Sequence, residues 1–228
     1  MRVKPLAVLD FDGTIARITA YPESAEVGPA EKRMLSRLSE MAEVVILTGR
    51  PSSFVRKRLD PGKIKIVGLH GNEGRGKPAM LKRLEEKAEK EIRSVKGAFV
   101  EKKPCGFAIH YRRTAKKDAK KLSLALKKIF SLAGGKTKIV DGRKAVEFLP
   151  ENALTKTGVL ESMVRENQRR KVVFVGDDTE DCKAISTLKR FKNFRGALIK
   201  SREVYCNKGV ERIPRGKLAV FLETSLSA

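Results

Sequence analysis

Short apolar runs that alternate with amphipathic segments constrain the fold of this chain more than any other feature. Leu6–Leu9 and Val44–Leu47 have the length of buried strands, and the segment Pro29–Met41 between them carries an apolar stripe at helical spacing. The same alternation predicts strands at Ile64–Leu69, Val172–Val175 and Gly196–Ile199, and helices at Ser52–Leu59, Thr155–Asn167, Asp181–Phe191 and Gly216–Leu222. Strands separated by helices favour an α/β fold with a doubly wound parallel sheet.

The middle of the chain follows a different pattern, in which two helices accompany two pairs of strands. Gly71–Gly76 interrupts the alternation. The spacing beyond it predicts helices at Ala79–Val95 and Ala115–Leu132, and strands at Ala98–Lys102, Phe107–Arg112, Lys138–Val140 and Lys144–Phe148. Asp141-Gly142, between the last two strands, is a strong hairpin signal. We therefore predict an α+β insert at residues 73–152 within a discontinuous core domain of residues 1–72 and 153–228.

The bulk composition predicts a folded, cytoplasmic protein. Hydrophobic residues make up 41% of the 228 residues, which is sufficient for a core, and no apolar run reaches membrane-spanning length. Met1–Pro5 leads directly into the first strand without the apolar region of a secretory signal. Cys105, Cys182 and Cys206 are odd in number and widely spaced, which favours reduced thiols over disulfides or a zinc site. We expect a monomer with no membrane partner.

The net charge of +23 is unusual and leaves three interpretations open. Lysines are dense between Lys116 and Lys138, and lysines and arginines are dense between Lys189 and Lys217. Such runs occur in proteins that bind nucleic-acid phosphates, in proteins whose field attracts small anionic substrates, and on the charged surfaces of heat-adapted proteins. Aromatic residues make up only 6% of the chain, which weakens the case for single-strand binding.

Two acidic residues stand directly after the first predicted strand. Asp10 and Asp12 flank Phe11, and Gly13-Thr14 then interrupts the strand as a tight turn would. Ligands of open α/β sheets bind at the carboxyl ends of the strands. Two carboxylates there can share a hard cation, or one can attack a substrate while the other transfers a proton. The alternative is that Asp10 starts a loop and Asp12-Gly13 is an ordinary turn.

Three further polar segments follow predicted core strands or open a core helix. They are Thr48-Gly49-Arg50, Lys156 and Gly176-Asp177-Asp178-Thr179-Glu180-Asp181. Taken singly, they are typical of a helix-capping turn, a surface lysine, and an acidic loop with a helix N-cap at Asp181. Together with Asp10 and Asp12 they predict one crevice, in which carboxylates hold Mg²⁺ while a hydroxyl, an ammonium and backbone N–H groups hold phosphate oxygens.

These four motifs, in this order, resemble those of haloacid dehalogenase-type phosphatases, and their context resembles the trehalose-6-phosphate phosphatase family over nearly the whole chain. Further matching segments are Pro22-Glu23-Ser24-Ala25, Leu69-His70-Gly71-Asn72-Glu73, Glu101-Lys102-Lys103, Ala108-Ile109-His110-Tyr111-Arg112, Val146-Glu147-Phe148-Leu149-Pro150 and Lys156-Thr157-Gly158. The resemblance implies a Rossmann-like parallel sheet with an inserted α+β cap. It also implies hydrolysis of trehalose 6-phosphate through an aspartyl-phosphate intermediate.

The resemblance assigns a role to each matching residue. Asp10 would be the nucleophile, and Asp12 would protonate the leaving sugar oxygen and then activate water. The phosphoryl group would be held by Asp10, Thr48, Gly49 and Lys156. Mg²⁺ would be bound by Asp10, the Asp12 carbonyl and Asp177, with Asp181 or Asp178 in support. The substrate would be gripped by Arg50, Glu101, Lys103, His110, Arg112 and Glu147. For the last five, which lie on the insert, surface charge on a hairpin is the alternative.

Three details depart from the family pattern or compete with it. Cys182 stands where the family usually has an acid after Asp181, and it is not expected to be a nucleophile because acidic neighbours keep a thiol protonated. Gly71–Lys77 has the spacing of a phosphate-binding loop, but Pro78 replaces the magnesium-binding hydroxyl, so we interpret it as a glycine hinge into the insert. His70 is expected to be a structural loop residue.

Two other functions stay open at this point. A related hydrolase of sucrose phosphate or mannosyl-3-phosphoglycerate would share Asp10 and would differ in the insert. A basic nucleic-acid-binding protein on the same scaffold is a second alternative. The intact acidic motifs argue against it, because a protein that only binds nucleic acid has no need to gather carboxylates near phosphate. We therefore expect a small-molecule sugar phosphate as the partner and no nucleic acid.

Overall fold

The computed structural model describes residues 3–19, 21–59, 62–142, 144–201, 204, 206 and 209–227. The chain divides into two compact units. Met1–Gly71 and Leu154–Ala228 together form one of them, called the core unit below, and Asn72–Ala153 form the other, called the insert unit. Within the described residues, no helix combines the length and the apolar character that crossing a membrane requires.

The secondary structure alternates in the core unit and is grouped in the insert unit. The strands are β1 (Leu6–Leu9), β2 (Glu43–Leu47), β3 (Lys65–Val67), β4 (Phe99–Lys102), β5 (Phe107–His110), β6 (Thr137–Gly142), β7 (Ala145–Pro150), β8 (Val172–Gly176), β9 (Phe194–Ile199) and β10 (Glu211–Ile213). The α-helices are α1 (Pro29–Met41), α2 (Ser52–Arg56), α3 (Ala79–Ile92), α4 (Ala119–Ala133), α5 (Lys156–Glu166), α6 (Thr179–Leu188) and α7 (Leu218–Ser227).

The described part of the core unit contains one parallel sheet, in the order β10-β9-β8-β1-β2-β3. From β1 the chain continues to β2 and β3 on one side of the sheet, and later from β8 to β9 and β10 on the other side. The strand order therefore reverses between β1 and β8, which are direct neighbours. Open α/β sheets bind ligands beyond the carboxyl ends of the strands at such a point. The predicted doubly wound α/β fold is confirmed.

Helices cover both faces of this sheet, which explains why β1 is apolar at every position. Ala7 and Leu9 belong to a core that includes residues of α1, α2 and α7, and Leu6 and Val8 belong to a second core with residues of α5 and α6. Each of these four strand residues is at most 2% exposed. Full burial of one such leucine contributes about 1.5–3 kcal/mol relative to exposure, so the strand that carries Asp10 is firmly held.

Two features of the core unit differ from the sequence-based expectation. β10 was not predicted, because Glu211-Arg212 has no apolar pattern; the segment pairs in parallel with β9 at the edge of the sheet. The expectation of three reduced thiols is wrong, since Cys182 and Cys206 form a disulfide with Cα atoms 5.8 Å apart. Cys206 follows β9 in the chain, and the fold places it beside Cys182 near the start of α6. The spacing of the cysteines in the sequence does not reveal this proximity.

The insert unit is an antiparallel sheet with helices on one face. Its strand order is β4-β5-β7-β6, within the described residues. Phe107, Ile109, Val146 and Phe148 pack with residues of α3 and α4 in a separate core. Because side chains alternate across a strand, Ala108 and its cross-strand partners Glu101 and Glu147 lie on the opposite face. The α-β-β-α-β-β order predicted for the insert therefore matches its described elements.

Candidate active site

Asp10 directly follows β1 and is paired with Lys156, which lies 146 residues later in the chain. Lys156 Nζ is 2.7 Å from Asp10 Oδ1 and 2.8 Å from Asp181 Oδ1. All three side chains are buried, with Lys156 only 3% exposed. Lys156 begins α5, whose N-cap Thr155 accepts a hydrogen bond from the Gly158 N–H. This cap sets the start of the helix and so places the ammonium between the two carboxylates.

The acidic segment after β8 is organised by a capping box. The Asp178 side chain accepts a hydrogen bond from the Asp181 N–H at 2.8 Å, and Asp181 Oδ2 accepts from the N–H groups of Asp177 and Asp178. The N-cap of α6 is therefore Asp178, not Asp181. Gly176 permits this approach, because a Cβ there would lie 2.2 Å from Asp181 Cγ. Both oxygens of Asp181 thus have partners within the core unit.

Three buried carboxylates in this region could hold a metal ion. One oxygen each from Asp10, Asp177 and Asp181 lies within 4.8 Å of the others. Gly13, with φ +81°, brings the turn after β1 against Asp177, because a Cβ at Gly13 would lie 2.0 Å from Asp177 Oδ2. A purely carboxylate donor set suits a hard cation such as Mg²⁺ or Ca²⁺. The residues present therefore fit a divalent cation, and Asp181 is oriented by hydrogen bonds on both oxygens.

Burial and mutual repulsion govern the protonation of this cluster. Burial raises the pKa of Asp10 well above its usual value; Lys156 opposes the rise, and Asp181 and Asp177 add to it. Burial by itself would lower the pKa of Lys156, but attraction by Asp10 and Asp181 raises it well above its usual value. Burial, followed by the neighbouring Asp181, raises the pKa of Asp178 to about 6. Asp10 and Asp178 therefore bind a proton more tightly than isolated carboxyl groups do.

Asp12 faces a different partner from Asp10. Arg50 Nε lies 2.8 Å from Asp12 Oδ2, and Arg50 Nη2 lies 2.8 Å from Asp12 Oδ1. The Arg50 guanidinium also lies 4.5 Å from the ring centroid of Phe54, and the Arg58 guanidinium lies 3.6 Å from the same ring. Phe54 was not expected from the sequence as part of this region; it lies in α2, and Arg50 precedes that helix, so helical spacing gave no signal for the contact.

Thr48 directly follows β2 and is 1% exposed. Its hydroxyl accepts a hydrogen bond from the Arg50 N–H at 3.1 Å, so Thr48-Gly49-Arg50 is not the cap of α2, whose N-cap is Pro51. The turn after β3 supports this segment, since the His70 N–H donates to the Thr48 carbonyl and the Leu69 N–H donates to the Arg50 carbonyl. Thr48 therefore lies at the carboxyl edge of the strand next to β1.

The expected sugar-binding residues of the insert unit form two pairs. Lys103 Nζ is 2.7 Å from Glu147 Oε1, and His110 Nε2 is 2.6 Å from Glu101 Oε2. The His110 ring stacks on Phe99 with centroids 4.9 Å apart. Arg112 follows β5 outside the sheet. Acids and bases held in this way present several fixed donors and acceptors, which is what recognition of a polyhydroxylated ligand requires.

A family model covers most of the chain, and known proteins match it as well. A family model described as trehalose-phosphatase matches residues 8–214. An uncharacterized glycosyl hydrolase of Mycobacterium tuberculosis is 28% identical over 198 residues, covering 78% of this chain and 15% of its own length. A trehalose-phosphate phosphatase of Mycobacterium avium is 26% identical over 199 residues, covering 78% of this chain and 49% of its own length. The chain thus spans about half or less of the length of these relatives.

The fold comparison points in the same direction. The C-terminal domain of the trehalose-6-phosphate phosphatase of C. albicans superposes with a TM-score of 0.81 at 14% identity, covering 98% of this chain and 92% of that chain. At this identity the likeness establishes a shared fold and leaves the activity to be argued from the residues themselves.

Proposed function

Since this chain belongs to the trehalose-phosphatase family, we propose that it is a Mg²⁺-dependent phosphatase that hydrolyses trehalose 6-phosphate to trehalose and phosphate. The observation that carries the proposal is the position of Asp10 at the end of the central strand, with Lys156 Nζ 2.7 Å away. A carboxylate at the switch point of the sheet, beside a buried ammonium, can attack a phosphoryl group and have its charge balanced there.

Asp10 is the nucleophile in this proposal. One of its oxygens bonds to phosphorus while the bond from phosphorus to the sugar oxygen breaks, and the sugar oxygen takes a proton from Asp12. A water molecule then attacks the aspartyl-phosphate, Asp12 takes the proton of that water, and the bond from phosphorus to Asp10 breaks. Lys156 attracts the negative charge that the phosphoryl group brings to Asp10.

The phosphoryl oxygens would be held by Thr48, Gly49 and Lys156 at the carboxyl edge of the sheet. Thr48 Oγ1 and the N–H groups of its turn are suitable donors, and Arg50 carries a positive charge beside them. The Arg50 guanidinium occupies both oxygens of Asp12. Proton transfer by Asp12 therefore requires that Arg50 releases at least one of these oxygens when substrate binds.

Asp10, Asp177 and the Asp12 carbonyl are the proposed ligands of Mg²⁺, with Asp181 and Asp178 supporting them. When bound, this cation supplies positive charge that keeps Asp10 ionised and reduces repulsion between carboxylates and phosphate. Gly13 is needed to bring its turn against Asp177. Asp181 holds the N–H groups of Asp177 and Asp178 and one side of Lys156, so it orients the groups around the cation.

The insert unit is the proposed sugar-binding cap. Lys103 and Glu147 form an ion pair, and His110 and Glu101 form a hydrogen-bonded pair. The polar atoms of both pairs can exchange partners with sugar hydroxyls. Together with Arg112 they would grip the sugar. A disaccharide has many hydroxyl groups and no charge of its own, so a set of paired acids and bases recognises it better than a uniformly charged surface would.

Phosphate release from a panel of sugar phosphates tests the proposal. The panel contains trehalose 6-phosphate, sucrose 6-phosphate, mannosyl-3-phosphoglycerate and glucose 6-phosphate, each with Mg²⁺ and with chelator. We expect the highest kcat/KM for trehalose 6-phosphate. If the protein hydrolyses another glycoside phosphate and not trehalose 6-phosphate, that compound becomes the assigned substrate. If it hydrolyses none of the four compounds, the proposal that it is a phosphatase is rejected.

A further inference from the structure

Arg215 reaches the turn that follows Asp12, although almost the whole core unit separates the two in sequence. Its Nη1 donates to the Gly13 carbonyl at 2.8 Å and to the Ala16 carbonyl at 3.3 Å. Its Nη2 donates to the Ile15 carbonyl at 2.6 Å and contacts Glu31 Oε1 at 3.3 Å. Arg215 opens a short 3-10 helix shortly after β10. One guanidinium therefore binds three carbonyls of a single four-residue turn, Gly13–Ala16, called the catalytic turn below.

The catalytic turn depends on this contact because the Gly13 and Ile15 carbonyls lie outside the hydrogen-bond ladders of helices and strands; the Ala16 carbonyl lies at an isolated β-bridge. Three of its four N–H groups already have acceptors, since Ile15 and Ala16 donate to the Phe11 carbonyl and Gly13 donates to the Ala16 carbonyl. Thr14, Ile15 and Ala16 are fully buried, so water is a poor substitute as a donor. The planar fork of a guanidinium presents several N–H groups at fixed angles, which the point charge of a lysine does not.

The catalytic turn connects the two sets of carboxylates in the candidate site. Asp12 directly precedes it and Asp10 lies two residues earlier. Gly13 packs so closely on Asp177 that a Cβ would lie 2.0 Å from Asp177 Oδ2. A small displacement of the turn would therefore change the position of Asp12 relative to Asp177. Misplacement of reacting groups by about 1 Å can cost about a hundredfold in rate.

We propose that Arg215 is a positioning residue of the phosphatase reaction, which it serves by holding the catalytic turn in place. The proposal rests on the function proposed above. Arg215 lies one residue beyond the segment 8–214 that the family model matches. Arg215 belongs to the basic run from Lys189 to Lys217. Its guanidinium is directed into the core unit, and its side chain is 28% exposed.

Arg170 offers a matched control. Its side chain is 14% exposed, and its Nη1 lies 2.6 Å from Glu43 Oε2 and 3.3 Å from the Lys4 carbonyl. Lys4 and Glu43 lie at the amino ends of β1 and β2, the opposite edge of the sheet from Asp10. Arg215→Met and Arg170→Met therefore remove equivalent groups from the same unit, and only the first touches the catalytic turn. Arg215→Lys retains the positive charge but lacks the planar set of N–H donors of a guanidinium.

Two measurements on each variant of the 228-residue chain decide the proposal. The first is kcat and KM for trehalose 6-phosphate with saturating Mg²⁺. We expect Arg215→Met to lower kcat at least about tenfold with KM changed by less than about threefold, Arg215→Lys to give an intermediate kcat, and Arg170→Met to stay within about twofold. The second is amide hydrogen exchange of a peptide that spans residues 11–18, which we expect to become faster only in the Arg215 variants.

The two measurements separate this proposal from the proposed function. If the wild-type protein releases no phosphate from trehalose 6-phosphate, the proposed function fails, and hydrogen exchange still decides whether Arg215 holds the turn. Unchanged exchange over residues 11–18 in Arg215→Met would overturn the proposal, as would an equal loss of kcat in the Arg215 and Arg170 variants. If Arg215→Met does not fold, the same criteria are applied to Arg215→Lys.

Discussion

Arg50 binds both carboxylate oxygens of Asp12, through Nε and Nη2 at 2.8 Å each. The side chain expected to donate a proton is thus engaged, in this structure, as the acceptor of a two-pronged ion pair. Such pairs combine charge attraction with a fixed geometry, so Arg50 aims Asp12 as well as neutralising it. Asp10, two residues earlier, is paired instead with Lys156. The two carboxylates therefore have separate cations, and Asp12 can transfer a proton only after Arg50 releases one of its oxygens.

Loss of Arg50 should impair turnover because Asp12 loses its orientation. We expect Arg50→Met to lower kcat/KM for trehalose 6-phosphate by about tenfold to a hundredfold. Arg56→Met is the control, since Arg56 is exposed in the adjacent α2 and is placed outside the site. Steady-state phosphate release measures both variants. Equal activity of the two would contradict the role of Arg50.

Replacement of Asp10 should abolish the reaction while leaving the fold intact. Asn has the shape of Asp but does not form a phosphorylated intermediate, so we expect Asp10→Asn to lower kcat at least about a thousandfold. Asp141→Asn, at an exposed position of β6, removes one carboxylate elsewhere and should keep wild-type activity. Circular dichroism checks the fold of both. Substantial turnover by Asp10→Asn would refute the assignment of the nucleophile.

Removal of the divalent cation should stop the reaction reversibly. We expect no phosphate release in EDTA and full recovery with excess Mg²⁺, because the buried carboxylates need a positive charge beside the phosphoryl group. Asp177→Asn should raise the Mg²⁺ concentration for half-maximal activity at least about tenfold. Glu211→Gln, on the edge strand β10, is the control and should leave this Mg²⁺ concentration unchanged. Undiminished activity in chelator would exclude the metal from the mechanism.

The metal-free protein should lose stability as the pH rises from about 4 to 6. The pKa of Asp178 is raised to about 6, so the folded protein keeps a proton that the unfolded chain releases near pH 4. The folded state binds more protons in this window, and its free energy of unfolding therefore falls with rising pH, by about 1–3 kcal/mol.

Urea unfolding in EDTA at a series of pH values measures this dependence. Asp178→Asn removes the titration and keeps a side chain that can still cap α6, so its free energy of unfolding should change less between pH 4 and 6. Asp141→Asn should show the wild-type dependence. Identical pH profiles for wild type and Asp178→Asn would disprove the assignment of this titration to Asp178.

The disulfide between Cys182 and Cys206 should contribute measurably to stability. It closes a loop with a sequence separation of 24, for which chain entropy predicts a contribution of about 3 kcal/mol to the free energy of unfolding. We expect Cys206→Ser and the reduced wild type to unfold at similar, lower urea concentrations. The variant itself should not respond to reductant. Three titratable thiols in unreduced, denatured wild-type protein would contradict the pairing.

Local patterns predicted much of the fold and the motifs of the candidate site. The segment Pro29–Met41 was expected as a helix and has those bounds as α1. Val172–Val175 was expected as a strand and is β8 with Gly176 added. Such elements are predictable because apolar spacing within a few residues decides them. The helix boundaries are less accurate. The expected Asp181–Phe191 begins at Thr179 instead, since Asp178 takes the capping position.

The sequence by itself determined which strands end in polar residues, and hence that Asp10, Thr48 and Asp177 belong to one edge of a parallel sheet. Only the tertiary structure decided how these groups are paired: Arg50 with Asp12, Lys156 between Asp10 and Asp181, and Arg215 on the catalytic turn. A basic residue within a charged run has the same local pattern whether it faces water or a carbonyl. Its partner depends on the path of chain segments up to 202 residues apart, which no short window of sequence contains.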